Sequence, residues 1–412
     1  MNIKCADDQV QWLFLDLNSF FASCEQQDRA ELRGKPVIVV PMMNDATCAI
    51  AASYAAKAFG IRTGTRVWEA KKMCPDLLVI KARHKLYVDY HHRILEVLDS
   101  CIPISKVMSI DEAACRLMGS ECHVEKAIAL SHKIKTTLRE KIGEAMTCSI
   151  GLGPNIFLSK IASGMKKPDG LTIIRKCDLP QALHPLKLQQ LYGVGRRMEE
   201  RLIRHGIKSV ATLMAASPYQ LRRVWGGVQG ALYYELLHGA DLQPPSSAFM
   251  HSISHQHVLE PEFRNQAGAR QFAQHLLTKA TERLRYKGYY CRRLGISLRL
   301  EGEPSRYWWN ETTFAETQDT GFLMQQMMRL CINLPSFKPK KITVLLLDLV
   351  HTSKHQPDLF ATQPERKNLL PLIDKINHRY GRNTISFGRV GDGVRSFTGH
   401  AAFQRVPERF EF

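Results

Sequence analysis

The sequence predicts a multidomain α+β protein. A chain of 412 residues is too long for one compact core. Its first 175 residues run strand, helix, hairpin, helix, strand, an α+β order of the split βαβ kind. After about residue 176 the pattern turns helical, and after about residue 250 strands return.

The elements follow in order. "QWLFLDL" (11–17) is a short, nearly continuous apolar run and predicts a strand. "RGKPVIVVP" (33–41), set among Gly and Pro, predicts a second. "ATCAIAASYAAKAFGI" (46–61) starts extended and becomes a small-residue helix closed by Gly60. "YVDYHHRILEVLDSC" (87–101) has helical spacing. "KVMSI" (106–110) and "ACRLM" (114–118) predict two strands of a hairpin around "DEA". "VEKAIALSHKIKTTLREKIG" (124–143) predicts a helix with Gly at its end. "MTCSIGLG" (146–153) predicts a strand, "NIFLSKIASGM" (155–165) a helix, and "GLTII" (170–174) the last strand of this region.

Beyond it, "LKLQQLYGVGRRMEERLIRHGIKSVATLMAA" reads as helices around a tight Gly turn, and "PPSS" (244–247) as a linker. "SISHQHVLE", the helix "GARQFAQHLLTKATERLRYKG" (268–288) and the strands "RRLGISLRLEG" and "KKITVLLLDLV" form a second, smaller α+β unit. Residues 351–412 are dotted with Pro and charge and hold one helical stretch, "LLPLIDKINHRYG".

Composition bounds the partners. Lys and Arg number 57 against 39 Asp and Glu, a net charge of +18. Nucleic acid is the default polyanion for such an excess, with anionic membrane second. The membrane reading is weak. The strongest apolar run, "ITVLLLDLV", is short and broken by Asp348. The N-terminus carries acids before its apolar run and lacks a signal-peptide layout. The expectation is a cytoplasmic, nucleoid-associated protein with no membrane partner. The 11 cysteines are scattered, odd in number and without a CxxC pair, which argues against a zinc site or disulfide framework and fits a reducing cytosol.

The chemistry concentrates on carboxylates. Asp111 and Glu112 stand side by side at the end of an apolar run. On a flat strand they would point to opposite faces, so both serve one spot only where the chain bends. Asp16 ends the first strand. Three carboxylates converging at a sheet edge repel unless cations sit between them. Mg²⁺ suits such a set, being hard and shared between carboxylates and substrate phosphates. Two such ions about 3.5–4 Å apart form the clamp of polymerases and nucleases. Taken alone, Asp-Glu also marks an ordinary exposed turn.

"FLDLNSFFASCEQ" (14–26), "MSIDEA" (108–113) and "GLGPNIFLSKIASGMKKPDGL" (151–171), in this order, resemble the Y-family DNA polymerases of the DinB/UmuC type. The resemblance covers about residues 10–350, with a UmuC-like tail beyond. It implies a right-hand polymerase. The ferredoxin-like palm would take residues 10–20 and 86–175, small fingers 21–85, a helix-hairpin-helix thumb 176–243, an α+β little finger 250–350, and a tail 351–412.

The resemblance also implies roles by motif position. Asp16 and Asp111 would ligate two Mg²⁺ ions (Mn²⁺ as a substitute), Glu112 the one beside the primer 3′-hydroxyl, and the Leu17 carbonyl the nucleotide-side ion. Phe21, five residues after Asp16, falls where the family has its steric gate against ribonucleotides; core packing is the plainer alternative. Tyr54, Lys57 and Lys160 match positions holding the incoming triphosphate. The family usually has Arg where this chain has Lys57, and Lys loses bidentate geometry. Ile156 stands where Lys is common, and "AACRL" replaces a usual aromatic-Leu-Asp pattern.

The DNA grip is implied in two places. "LYGVGRRMEERLIRHGI" (191–207) resembles a helix-hairpin-helix, in which Gly193 and Gly195 would let backbone N–H groups, with Arg196 beside them, approach a phosphate. Arg283, Arg285, Lys287, Arg292 and Arg293 form a dense basic band in the little finger. "QPDLF" resembles a clamp-binding peptide, with Gln356 as polar anchor and Leu359 and Phe360 for an apolar pocket of a bacterial sliding clamp. The UmuC-like tail adds mutagenesis accessory proteins as further partners.

Two rivals have discriminators. A catalytically weak or inactive polymerase-like accessory protein would have lost the carboxylate set, which this chain keeps. A palm-type nucleotidyl cyclase would need neither thumb nor little finger.

Overall fold

A computed structural model describes residues 9–242, 250–302, 306–336, 338–356, 366–381 and 384–385. The chain divides into two units near residue 245.

The first unit is built on a five-stranded sheet. Its elements begin with β1 (Trp12–Leu17) and α1 (Phe20–Asp28), then β2 (Val37–Val40), β3 (Ala51–Ala52), α2 (Tyr54–Ala58), α3 (Val67–Met73) and β4 (Leu78–Lys81). They continue with α4 (His84–Asp99), β5 (Lys106–Val107), β6 (Glu112–Arg116), α5 (Val124–Lys141), β7 (Cys148–Gly153), α6 (Ile156–Met165) and β8 (Leu171–Ile173). The sheet order is β5-β6-β1-β7-β8, antiparallel except for β7 with β8. Strand β1 is central, and that explains its apolar run: both faces are covered. Leu13, Leu15 and Leu17 enter the core built with α1, α4 and α5, and Trp12 and Phe14 pack with Ala114, Met108 and Ile156 on the other side. The expected hairpin forms, with Val107 opposite Ala113. By packing, α1 belongs to this layer, because Phe20, Ala22 and Cys24 lie in its core.

Strands β3, β2 and β4 make a small separate sheet, parallel between β2 and β4, with its own apolar core. Gly60, at φ +85°, stops the α2 segment as expected.

Helix α6 is apolar nearly all round because it serves two cores. It crosses β1 and β7 and also gives Phe157, Leu158, Ile161 and Ala162 to a helical layer. That layer contains α7 (Arg196–Arg204), α8 (Val210–Met214), α9 (Pro218–Trp225) and α10 (Val228–Leu237). Asn155 joins the two. Its side chain caps α6 through the Leu158 N–H at 2.7 Å and donates to the Leu236 and Ala240 carbonyls at 2.9 Å. The reading of residues 186–192 as helical is corrected: only a 3₁₀ turn, Leu188–Gln190, precedes the Gly hairpin. Pro185 removes a donor there, and Gly193 takes φ +86°.

The second unit has β9 (Ser252–Val258), α11 (Gln266–Tyr286), β10 (Tyr289–Leu300), β11 (Tyr307–Thr317), α12 (Thr320–Leu330), β12 (Pro339–Leu347), β13 (Val350–His351) and α13 (Arg366–Tyr380). Its antiparallel sheet runs β11-β10-β12-β9, with β13 beside β10. Leu294, Ile296, Leu298, Ile342, Val344 and Leu346 pack with α11 and α12. Neither β11 nor α12 is legible in the sequence reading. Strand β11, "YWWNETTFAET", is half exposed throughout and carries too few apolar residues to stand out. The tail helix starts three residues before "LLPLIDKINHRYG" and carries Pro371 inside it.

Gly151 fixes how closely α6 lies on the sheet. A Cβ there would meet the Ser159 carbonyl oxygen at 2.0 Å and the Ser163 nitrogen at 2.4 Å, both backbone. Gly151→Ala should therefore destabilise the chain by about 3 kcal/mol, read as a lower urea midpoint with unchanged slope.

Candidate active site

Strand pairing gathers the acids. Asp16 lies opposite Glu112 across the β1–β6 pair, and directly opposed residues share a face. Asp111 stands one residue before β6, and its carbonyl accepts the Leu17 N–H at 2.9 Å. Because Asp111 lies outside the strand, alternation does not set it against Glu112. One hydroxyl marks the bend: Ser109 Oγ is 2.5 Å from Asp111 Oδ1 and 3.3 Å from Glu112 Oε2. Only its place in "MSIDEA" draws notice to Ser109 in the sequence.

Burial and mutual repulsion act on these groups together. Burial pushes the Asp16 carboxyl up to about 6; Lys167 opposes this, while Asp111 and Glu112 add to it. Asp111 is also raised, first by burial, with the Ser109 hydrogen bond opposing and Glu112 adding. Ammonium groups compensate. Lys167 Nζ lies 2.5 Å from Asp16 Oδ1. Lys160 donates to both Glu112 oxygens, at 2.7 and 2.6 Å.

The donor set is all hard oxygen, which fits Mg²⁺ and not a thiolate- or imidazole-seeking metal. Among the described residues, no three His, Cys, Asp or Glu side chains stand as a preformed metal-holding group. Two of the three carboxylates are instead turned onto lysines. Mg²⁺ takes only one or two protein carboxylates and draws its other ligands from phosphates and water, so an open arrangement is compatible with it.

Helix α2 brings Tyr54 and Lys57 to this patch. Ser53 caps the helix, accepting from the Ala56 N–H. Lys57 Nζ sits 4.2 Å from the Tyr54 ring centroid and donates to Ser19 Oγ at 2.7 Å. Burial raises the Tyr54 hydroxyl's pKa and the Asp16 charge adds to it, while Ser19 and Asn18 oppose. Burial lowers the Lys57 ammonium's pKa and the nearby Lys167 charge lowers it further, while Asp16 opposes. Lys57 and Lys167 therefore share one neighbourhood beside Asp16. Lys160 is held where α6 crosses β1, and its ammonium lies on Glu112 within the same group of acids. Lys167, just beyond the end of α6, adds a second ammonium on Asp16. Its signal was available in "MKKPDG", two lysines at a helix end inside the motif stretch.

Phe21 is half-buried, where Phe20 is buried. Its ring stacks on Tyr87 at 4.6 Å and 19°. Tyr87 in turn donates to the fully buried Glu25 at 2.7 Å, and Glu25 pairs with Arg83 at 2.6 Å.

The hairpin glycines stand at the turn that leads into α7. Gly193 has φ +86°, and Gly195 is the N-cap of α7 with open space where a Cβ would lie. Arg196 is largely exposed and pairs with Glu200 at 3.1 Å.

The basic band of the second unit does not act as one surface. Arg285 is corrected outright: its guanidinium is buried against Asp374 of α13 at 2.6 and 2.8 Å and donates to the Gln318 carbonyl at 3.1 Å. Arg292 pairs with Glu316, and Arg293 with Asp348 and Glu311. Lys287 lies 5.1 Å from the Tyr286 ring centroid, and Arg283 lies on α11 among its half-buried residues. Sheet register instead groups Arg293, Arg299, Lys341, Tyr307 and Trp309 on the face away from α11 and α12. The Trp309 ring covers Gly295, where a Cβ would meet it at 2.4 Å. Gln356 is exposed, and Leu359 and Phe360 lie outside the described residues. Among the described residues no helix is long and apolar enough to cross a membrane.

Comparison with known proteins adds identity to this geometry. Residues 15–164 match the impB/mucB/samB family and residues 250–359 its C-terminal domain. DNA polymerase IV of Moorella thermoacetica is 33% identical over 395 residues, spanning 93% of this chain and 97% of that protein. DNA polymerase IV of Pelotomaculum thermopropionicum is 31% identical over 384 residues, spanning 90% and 93%. Among solved structures, a Y-family DNA polymerase chimera of Dbh and Dpo4 shares the fold, with a TM-score of 0.69 at 22% identity over 83% of this chain and 99% of the chimera. The matched segments carry the three acids and the second unit's sheet, and by them the chain belongs to the impB/mucB/samB family, as a Y-family polymerase of the DinB type.

Proposed function

We propose that this chain is a template-directed DNA polymerase of low fidelity that bypasses lesions during DNA repair. It adds dNTPs to a primer and releases pyrophosphate. One observation carries the reading: Asp16 is in register with Glu112, and Asp111 stands at the bend beside them. The named relatives support it. An accessory protein without activity would have no use for acids held in this buried, repelling arrangement.

Asp16, Asp111 and Glu112 would hold two Mg²⁺ (or Mn²⁺), with the Leu17 carbonyl beside the nucleotide. When bound, these ions lower the pKa of the primer hydroxyl and neutralise the triphosphate and leaving pyrophosphate. The remaining work is positioning and electrostatics by the chain itself. Tyr54, Lys57 and Lys160, with Lys167 beside Asp16, receive the triphosphate; Lys57 meets it as a point charge. The Phe21 ring, backed by Tyr87, lies where a ribose 2′-hydroxyl would press. Backbone N–H groups at Gly193 and Gly195 and the Arg196 guanidinium hold primer phosphates. The open sheet face with Arg293, Arg299 and Lys341 offers sequence-tolerant backbone contacts. Residues 356–360 engage the bacterial sliding clamp, and the tail is a surface for mutagenesis accessory proteins.

Three outcomes are expected. Wild-type protein with Mg²⁺ should extend a primer on undamaged template, and Asp111→Ala should be slower by about a thousandfold; equal extension by both would expose a contaminating polymerase. Phe21→Ala should raise ribonucleotide incorporation relative to dNTP by at least about a hundredfold, measured with matched rNTP and dNTP pairs. Leu359→Ala with Phe360→Ala should abolish binding to immobilised clamp while distributive synthesis stays at the wild-type rate.

A further inference from the structure

The bend that carries Asp111 is held at three successive carbonyls. The Glu112 carbonyl accepts the Met108 and Ser109 N–H groups at 2.9 and 3.2 Å, and the Asp111 carbonyl accepts the Leu17 N–H at 2.9 Å. Those partners belong to the sheet and its hairpin. The Ile110 carbonyl is taken by a side chain from outside them: His91 Nδ1, on α4, lies 2.7 Å away. A carbonyl only accepts, so Nδ1 carries the ring's proton. His91 touches backbone, and it takes none of the oxygens assigned to the ions.

His91 is buried, as is Ile110. Burial pushes the ring's pKa below its ordinary value; the Ile110 bond opposes and the His92 charge adds. The helix that carries it is anchored on both sides of residue 91. One turn earlier, Tyr87 donates to the buried Glu25 at 2.7 Å. Further on, Ile94 and Leu98 lie in the same core as Ile110. A side chain mounted on a packed helix holds a position more precisely than a loop does. The bend is less well held by its own side chains, since Ser109, Asp111 and Glu112 are only half-buried. A buried carbonyl left without a donor is costly, and turning its peptide toward another partner relieves that cost. The peptide in question ends at the Asp111 Cα, so turning it re-aims the carboxylate.

We propose that His91 is a positioning residue: its Nδ1–H holds the Ile110 carbonyl and, through the Ile110–Asp111 peptide, fixes the direction in which the Asp111 carboxylate leaves the bend. For its effect on metal binding and catalysis the inference rests on the polymerase reading above; the hydrogen bond itself rests on the fold. The position requires a donor at the place of Nδ1. It requires neither a whole imidazole nor a charge. The amide NH₂ of asparagine can occupy that place, whereas leucine and phenylalanine fill the volume and donate nothing.

The test uses the full chain and compares wild type with His91→Asn, His91→Leu and His91→Phe, the last serving if His91→Leu does not fold. Val97→Ala, which thins the core contact of the same helix further along, controls for general loss of stability, and a urea midpoint is read for every protein. Three measurements follow. The ¹⁵N spectrum of the wild-type imidazoles, with His91 assigned by its absence from a variant, should show the neutral Nδ1–H tautomer near pH 7. Mn²⁺ binding to the protein on primer-template, read from the EPR signal of the free ion, should weaken about tenfold in His91→Leu and stay within about twofold of wild type in His91→Asn and Val97→Ala. In single-turnover incorporation at saturating DNA and dNTP, the Mg²⁺ concentration giving half the maximal rate should rise about tenfold in His91→Leu and return to near the wild-type value in His91→Asn. Any of four results overturns the inference: an Nε2–H tautomer at His91, wild-type metal affinity in His91→Leu, damage in His91→Asn equal to that in His91→Leu, or an equal loss of metal affinity in Val97→Ala. Wild-type protein that binds no Mn²⁺ on primer-template and extends no primer overturns the polymerase reading and this inference with it; active wild type alongside His91→Leu with an unchanged Mg²⁺ requirement overturns the inference alone.

Discussion

Strand β1 is hydrogen-bonded along both flanks, to β6 and to β7, with its side chains covered on both faces. That double pairing is the constraint on which the rest depends. It leaves the strand no freedom of register, and a slip of one residue would turn every side chain to the other face. Asp16 therefore cannot leave Glu112 without breaking two ladders. The sheet holds the acid where burial opposes its charge, and the surrounding lysines answer that cost locally.

The lysines give the site its polarity. Lys167 faces Asp16 with Lys57 nearby, and Lys160 faces Glu112 with an aromatic ring of the helical layer over it. The two ends of the carboxylate row thus connect to different parts of the chain. One end looks toward the small sheet and α2, the other toward α6 and the Gly hairpin. A nucleotide and a primer terminus differ in just this way, since one carries its charge on a free triphosphate and the other on a backbone held from behind.

Much of the first unit was legible because its strands are buried on both faces or bounded by Gly and Pro. "QWLFLDL" and "MTCSIGLG" could scarcely be anything else. The bend at the acids was also legible, as a requirement of strand alternation, though not the hydroxyl of Ser109 that marks it. What failed had physical causes. Lys167 was passed over because it follows the end of α6, and spacing alone does not say where a long side chain beyond a helix end reaches. Arg285 looked like its exposed neighbours because its partner, Asp374, lies 89 residues along the chain. Strand β11 escaped because two of its inward residues, Asn310 and Thr312, are polar and leave only Trp308 and Phe314 to mark the core face; its outward Tyr307 and Trp309 blur the period further.

The contact between Arg285 and Asp374 also bears on how the C-terminal region is dissected. The guanidinium side chain is 9% exposed and the carboxylate 17%, and Leu370 of the same helix is buried. Cutting the chain ahead of this helix would do more than shorten it. It would strand a cation in a dry setting beneath α11 and uncover apolar surface beside it, so a shortened protein that performs poorly would be reporting damage to its scaffold as much as the loss of an attachment point.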